Sequence, residues 1–209
     1  MDSNKTLVVT IGDSSGSMTS IISDAIGGFN SLIEEQKKLP GECLIHSVLF
    51  DNHQNYKIVH DMVNVSDVPK MTIKEWSPDG LTALYDAIGK TINHVGTRLS
   101  EMDEPARPGK VIVIITTDGL ENNSQEFTAS QVKEMITHQR DVYNWEFIFT
   151  AANQDATLAA ETIGVDRSRA ATFTANARGT ESLYNGIQCA VKSYRTLGFI
   201  EEDALENIQ

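Results

Sequence analysis

Residues 6–18, TLVVTIGDSSGSM, join an apolar, β-branched run to a loop of small polar residues. Thr6 to Gly12 is nearly continuous in apolar character, the pattern of a strand covered on both faces. The loop behind it parses in two ways. Read as Gly12-x-Ser14-x-Gly16, or as Gly12-Asp13-Ser14, it is the turn of a hydrolase with Ser14 as nucleophile. Read as Asp13-x-Ser15-x-Ser17, it offers a carboxylate and two hydroxyls to a hard metal ion.

Outward from this stretch, Cys43 to Phe50, Lys110 to Thr117, Trp145 to Ala151 and, more weakly, Ala171 to Thr174 read as further strands. Tyr56 to Val65 alternates, as a half-exposed edge strand does, and Asp51 to Asn55 forms its hairpin turn with Cys43–Phe50. Helical spacing lies between: Ile22, Ile26, Phe29 and Ile33, ended by Pro40-Gly41; Leu84 to Leu99; Val132, Met135 and Ile136, with Thr128 as N-cap; and a stretch from Thr180 to Gly198. Alternating strands and helices predict a doubly wound α/β fold, a mostly parallel sheet with helices on both faces. Ser100 to Gly109 reads as a loop. Residues 1–198 form one domain and residues 199–209 an acidic tail.

The chain has 209 residues, 40% of them hydrophobic and 22% charged, the composition of one folded domain with a core of its own. A formal charge of -12 makes nucleic acid and anionic membrane poor partners. No leader pattern opens the chain and no apolar run approaches the ~18 residues of a membrane span, which predicts a cytoplasmic protein. Cys43 and Cys189 lack metal or redox spacing and are expected to be buried free thiols.

The hydrolase parsing needs a base. The strand–turn–helix context exists, but the motif follows the first strand, where the Gly-Asp-Ser lipases and esterases would be the match. That family implies a Gly-x-Asn-Asp segment and a C-terminal Asp-x-x-His pair, and neither pattern occurs in the sequence. The histidines are His46, His53, His60, His94 and His138, all expected at the surface or an edge, and none follows residue 138.

The metal parsing gains support from two other segments. Lys110–Thr117 stops at Asp118-Gly119, which puts Asp118 on the same crevice edge as Asp13. Gly80-Leu81-Thr82 opens a helix whose N-terminus brings Thr82 to that edge. Asp13, Ser15, Ser17, Thr82 and Asp118 are all oxygen donors, a set that suits Mg²⁺, with Mn²⁺ as a substitute, better than Zn²⁺. Taken singly, Ser15, Ser17 and Thr82 also read as helix caps. Asp86 reads as a solvated or loop-bonding residue. Asn153 and Asp155 reach the same edge and, with Ser14, form a candidate partner-contact rim. Asp13 and Asp118 are expected to repel each other without metal, raising at least one pKa.

The segments Asp13-Ser14-Ser15-Gly16-Ser17-Met18, Gly80-Leu81-Thr82-Ala83-Leu84-Tyr85-Asp86 and Thr117-Asp118-Gly119 closely resemble the metal-ion-dependent adhesion site of von Willebrand factor A domains. The likeness is nearest to small stand-alone bacterial or phage members. It implies a Rossmann-like, six-stranded sheet of order 3-2-1-4-5-6 with one antiparallel edge strand. It also implies Mg²⁺ contacted by Ser15, Ser17 and Thr82, with Asp13 and Asp118 bound directly or through water. The remaining position would accept an Asp or Glu carboxylate from a partner protein, without turnover. Gly12 and Ser14 depart from the family, where a bulky apolar residue and often an Arg flank the first Asp; neither position is a ligand. A Mg²⁺-dependent phosphoryl-transfer enzyme is the other enzymatic alternative. Asp13-x-Ser15 lacks the second Asp of the haloacid-dehalogenase type, however, and no P-loop is present.

Overall fold

The computed structural model describes residues 1–152, 155–206 and 208. Strand β1, Asp2–Asp13, forms the centre of a six-stranded sheet with β2 (Glu42–Phe50), β3 (Tyr56–Asn64), β4 (Pro108–Thr117), β5 (Glu146–Ala152) and β6 (Ala170–Phe173). The order is β3-β2-β1-β4-β5-β6. Strands β2 and β3 pair antiparallel; every other neighbouring pair is parallel. The reversal of strand order on either side of β1 opens a crevice at the C-terminal strand ends, where ligands bind in open α/β sheets.

Two helical layers cover the sheet because β1 and β4 are apolar on both faces. Val8, Ile45, Ile112, Ile114 and Ile148 pack with α1 (Ile22–Lys37) and α5 (Ala177–Leu197). Leu7, Val9, Ile11, Val113, Ile115, Phe147 and Phe149 pack with α2 (Leu84–Glu101), α3 (Ala129–Tyr143) and α4 (Ala156–Thr162). Strand-to-helix turns therefore collect at one edge of the sheet. Among the described residues no helix is long and apolar enough to cross a membrane.

Several expectations need correction. Strand β1 starts at Asp2, before the apolar run, because its first residues pair with the start of β4. Helix α2 continues through Glu101 and β4 begins at Pro108, so the 100–109 segment is mostly regular structure around a short 3₁₀ turn, Glu104–Ala106. Helix α5 starts three residues before Thr180, at Ala177, capped by Asn176, and α4 had no recognised pattern. The acidic tail is not detached: Ile200, Leu205 and Ile208 are buried in the same core as α1 and α5. Cys43 is buried as expected, whereas Cys189 is exposed. His46 and His60 are buried inside the β2–β3 hairpin region, against the expectation of surface histidines.

Candidate metal site at the sheet edge

The site begins where β1 ends. Asp13 is fully buried; its Oδ1 accepts the Ser15 N–H at 2.7 Å and its Oδ2 accepts the Thr117 hydroxyl at 2.5 Å. Both carboxylate oxygens are thus turned to the loop that follows β1 and to the last residue of β4. The turn in which Ser15 N–H bonds the Asp13 side chain presents the Ser15 and Ser17 hydroxyls side by side, 3.1 Å apart. Ser17 Oγ then donates to Asp118 Oδ1 at 2.7 Å, tying the β1 loop to the end of β4. Thr82 closes the ring from a third segment. A Cβ built on Gly119 would stand 2.9 Å from Thr82 Oγ1 and 3.7 Å from Ser17 Oγ, so both hydroxyls border the same glycine, and only a residue without a side chain fits between them.

All five oxygen-bearing residues therefore converge. Capping does not account for their hydroxyls. Ser15 precedes the 3₁₀ turn Gly16–Ser20 without a side-chain cap bond, and α2 has Ala83 at its N-cap with no cap bond either. Adjacent ligands of an octahedral ion with ~2.1 Å bonds lie about 3.0 Å apart, close to the Ser15–Ser17 and Ser17–Asp118 separations. The donor set fits a hard divalent cation, which the oxygens of Ser15, Ser17, Thr82 and Asp118 would hold, while Asp13, whose two oxygens are already engaged, would supply charge from behind them.

Burial pushes the Asp13 carboxyl up to about 6; the bonds from Thr117 and Ser15 oppose the rise, and the Asp118 charge adds the smallest contribution. Asp118 is also raised, again by burial, against the Ser17 hydrogen bond. The expected elevation is present, but desolvation rather than mutual repulsion is its main cause.

The loop after Asp118 positions Thr82. Thr82 N donates to Asn122 Oδ1 at 2.9 Å, Tyr85 N to Glu121 Oε2 at 3.0 Å, and Asp86 N to Ser124 Oγ at 3.0 Å. Residues 121–124 thereby cap a helix that cannot cap itself, and the Glu121 carboxylate sits at its positive end. Asp86 is buried and returns the favour: it accepts the N–H groups of Gln125, Glu126 and Phe127 at 2.9, 2.9 and 2.8 Å. It is a loop-bonding residue, as its position one turn after Thr82 indicates.

Ser14 lies beneath the site. It is buried, and its hydroxyl donates to the Ser77 carbonyl at 3.0 Å rather than to a histidine. The Gly12 departure has a physical partner. A Cβ at Gly12 would meet Trp76 Cζ2 at 3.0 Å and Leu49 Cδ2 at 3.1 Å, while Trp76 Nε1 donates to the Asp13 carbonyl at 2.9 Å. The indole occupies the volume that a bulky residue before the aspartate would fill. Asp155 is exposed and caps α4 through the Leu158 N–H at 3.1 Å, and Asn153 lies outside the described residues. Thr117, though quoted in the motif, was given no role of its own, and Glu121 and Asn122 escaped the sequence reading, because loop-to-loop hydrogen bonds leave no periodic signal. So did Leu81 and Leu120, exposed apolar residues immediately beside Thr82 and Gly119; apolar side chains next to ligand residues are the signal that was available.

Sheet order, antiparallel edge and helical layers define a von Willebrand factor A-type fold. The chain is similar over 91% of its length to the von Willebrand factor type A structure from Catenulispora acidiphila, with a TM-score of 0.62, 12% identity and 43% of that chain covered. It is similar over 90% of its length to proximal thread matrix protein 1 from the mussel byssus with a zinc-occupied MIDAS motif, with a TM-score of 0.62, 13% identity and 48% of that chain covered. A second crystal form of the mussel protein gives a TM-score of 0.63 at 13% identity, with 90% of this chain and 48% of that one covered. The chain spans less than half the length of these structures. No family model and no curated protein matches the sequence.

Proposed function

We propose that this domain is a non-enzymatic interaction module. It holds Mg²⁺ through Ser15, Ser17, Thr82, Asp118 and Asp13 and presents it to an Asp or Glu carboxylate of a partner protein. The carrying observation is the hydrogen-bonded series from Asp13 through the Ser15 N–H and the Ser15 and Ser17 hydroxyls to Asp118, drawn from two strand ends and bordered by Thr82. Asp13 and Asp118 together neutralise a 2+ ion, but with only one of them coordinating directly the ion stays electrophilic enough to attract a third carboxylate. A zinc-occupied MIDAS motif in the mussel protein, which shares this fold, supports a cation at the corresponding edge. Mn²⁺ would serve in place of Mg²⁺.

Leu81 and Leu120, exposed apolar neighbours of Thr82 and Gly119 in the chain, would surround a carboxylate bond with apolar contact, shielding it from water. The hydrolase alternative draws no support from Ser14, which is buried and bonded to a backbone carbonyl. The test is capture of partners by the immobilised domain in Mg²⁺, in EDTA, and with Thr82→Ala. Partners retained only by wild type in Mg²⁺ support the reading; partners retained equally in all three arms contradict it.

A further inference from the structure

A second group of metal-ligating side chains stands away from the sheet edge, on the α2 side of the β2–β3 hairpin. His46 of β2, Asp61 of β3 and His94 of α2 place their ligand atoms within 4.8 Å of one another. His46 Nδ1 is 3.2 Å from Asp61 Oδ1, and His94 Nε2 is 3.1 Å from the same oxygen. His46 lies four residues before Phe50, which pairs with Asp13, so about 13 Å of strand separates this group from the first site.

His46 is fully buried, yet neither ring nitrogen has a hydrogen-bond partner among the described residues. Its approach to Asp61 is a close contact that misses hydrogen-bond geometry. Buried polar groups in folded proteins are almost always satisfied, so a ring with two orphan nitrogens in a strand interior calls for a partner. His94 Nε2 and Asp61 Oδ1, by contrast, are hydrogen-bonded to each other, a bond that an ion between them would replace, so the unpartnered group of the cluster is His46. Adjacent ligands of a tetrahedral ion with bonds of 2.0–2.1 Å lie roughly 3.3 Å apart, close to both separations.

The surroundings agree. Burial pushes His46 down to about 4, against the opposing charge of Asp61, so the imidazole is neutral with a lone pair available. Asp61 has its other oxygen, Oδ2, 3.5 Å from Arg98 Nε, which leaves Oδ1 facing the two histidines. The β2–β3 pairing shifts register around Ser47, and Met62 takes a φ of 53°, a conformation unusual for a side chain of that size. Such irregularities re-aim side chains, and here one brings Asp61 opposite His46. His94 and Asp61 are partly exposed, so ions can enter and water can complete the shell.

We propose that His46 Nδ1, Asp61 Oδ1 and His94 Nε2 bind a transition-metal ion of the Zn²⁺ class, pinning the edge hairpin to α2. Two imidazoles and one carboxylate suit Zn²⁺ and are a poor set for Mg²⁺, which prefers oxygen throughout. The nitrogen donors therefore give this site the higher Zn²⁺ affinity of the two, with Mg²⁺ in excess at the sheet edge.

The test uses the full chain in millimolar Mg²⁺, which leaves a nitrogen-rich site free. Zn²⁺ is added to wild type, His94→Ala, Asp61→Asn and Thr82→Ala, with calorimetry for stoichiometry and Co²⁺ absorption for ligand geometry. The expected result is one Zn²⁺ per wild-type chain, a tetrahedral Co²⁺ spectrum, and affinity weakened on the order of tenfold or more in His94→Ala and Asp61→Asn. Thr82→Ala, whose change lies at the other site, keeps wild-type Zn²⁺ affinity. The partly exposed positions of His94 and Asp61 make both variants compatible with folding, and circular dichroism checks that they fold. No Zn²⁺ binding by wild type, or equal binding by folded His94→Ala and Asp61→Asn, would overturn the proposal. Failure of Mg²⁺ binding alone would leave the Zn²⁺ result standing and count only against the first site.

Discussion

At the scale of single residues, Asp13 carries the electrostatic cost of the site. Its folded-state pKa of about 6 exceeds the ordinary 3.8, so between those values the folded chain holds a proton that the unfolded chain has released. In EDTA, stability therefore falls as pH rises through that window and stays lower above it, by about 3 kcal/mol for the ~2-unit difference. Thermal melts in EDTA at pH 4.5 and pH 7.5 check this after subtracting the same difference in Asp13→Asn, which lacks the titrating group. Mg²⁺ reverses the sign of the effect: it needs the ionised carboxylate, so its stabilisation is largest at neutral pH and fades toward acid. Gly12 makes a separate prediction. Gly12→Val must displace Trp76 or Leu49, and overpacking of that kind costs ~1–3 kcal/mol, read as a lower urea midpoint.

The same scale shows what a sequence can carry. Asp13, Ser15, Ser17, Thr82 and Asp118 were legible because each sits at a strand end or helix start whose position the apolar pattern fixes. Buried His46 was not legible: the run CLIHSVLF marks a strand, but one polar residue in it says nothing about its burial or its neighbours.

Among the elements, α2 and the 121–127 loop hold each other. Glu121 accepts the N–H groups of Tyr85, Asn123 and Ser124 and the Ser124 hydroxyl, the first of these at the start of α2. Glu121→Ala leaves those donors without their acceptor, for a loss of ~1–3 kcal/mol. Because Thr82 and Asp118 flank the same contact, Mg²⁺ affinity drops as well, although Glu121 is not a ligand; parallel urea and Mg²⁺ titrations separate the two effects. The strands and long helices were legible from apolar spacing. Helix α4 was not, since ATLAAET buries only Ala156 and Ala160 and has no stripe of large apolar residues. The early start of β1 was hidden by polar residues that pair beyond the helical layers.

For the molecule as a whole, the acidic C-terminal segment belongs to the core. A Cβ at Gly186 would stand 2.6 Å from Ile208 Cδ1, so α5 presents a glycine for that isoleucine to pack on. Removing residues 199–209 strips Ile200, Leu205 and Ile208 from the core. Each buried aliphatic side chain is worth ~1.5–3 kcal/mol, so the melting temperature falls by about 10 °C or more, measurable by calorimetry. The charge of this segment masked an apolar spacing of three to five residues that fits one packed face. The sheet order, by contrast, came from the motif resemblance together with the alternation of strands and helices, and the structure has that order.

A cation at the junction of β1, β4 and α2 is the centre of the proposed function. Isothermal calorimetry with Mg²⁺ at neutral pH, on wild type, Thr82→Ala, Asp118→Ala and Ser14→Ala, measures it most directly. The expected result is one Mg²⁺ per wild-type chain, retained by Ser14→Ala and lost in Thr82→Ala and Asp118→Ala. Equal Mg²⁺ binding by all four proteins, or none by wild type, would contradict it.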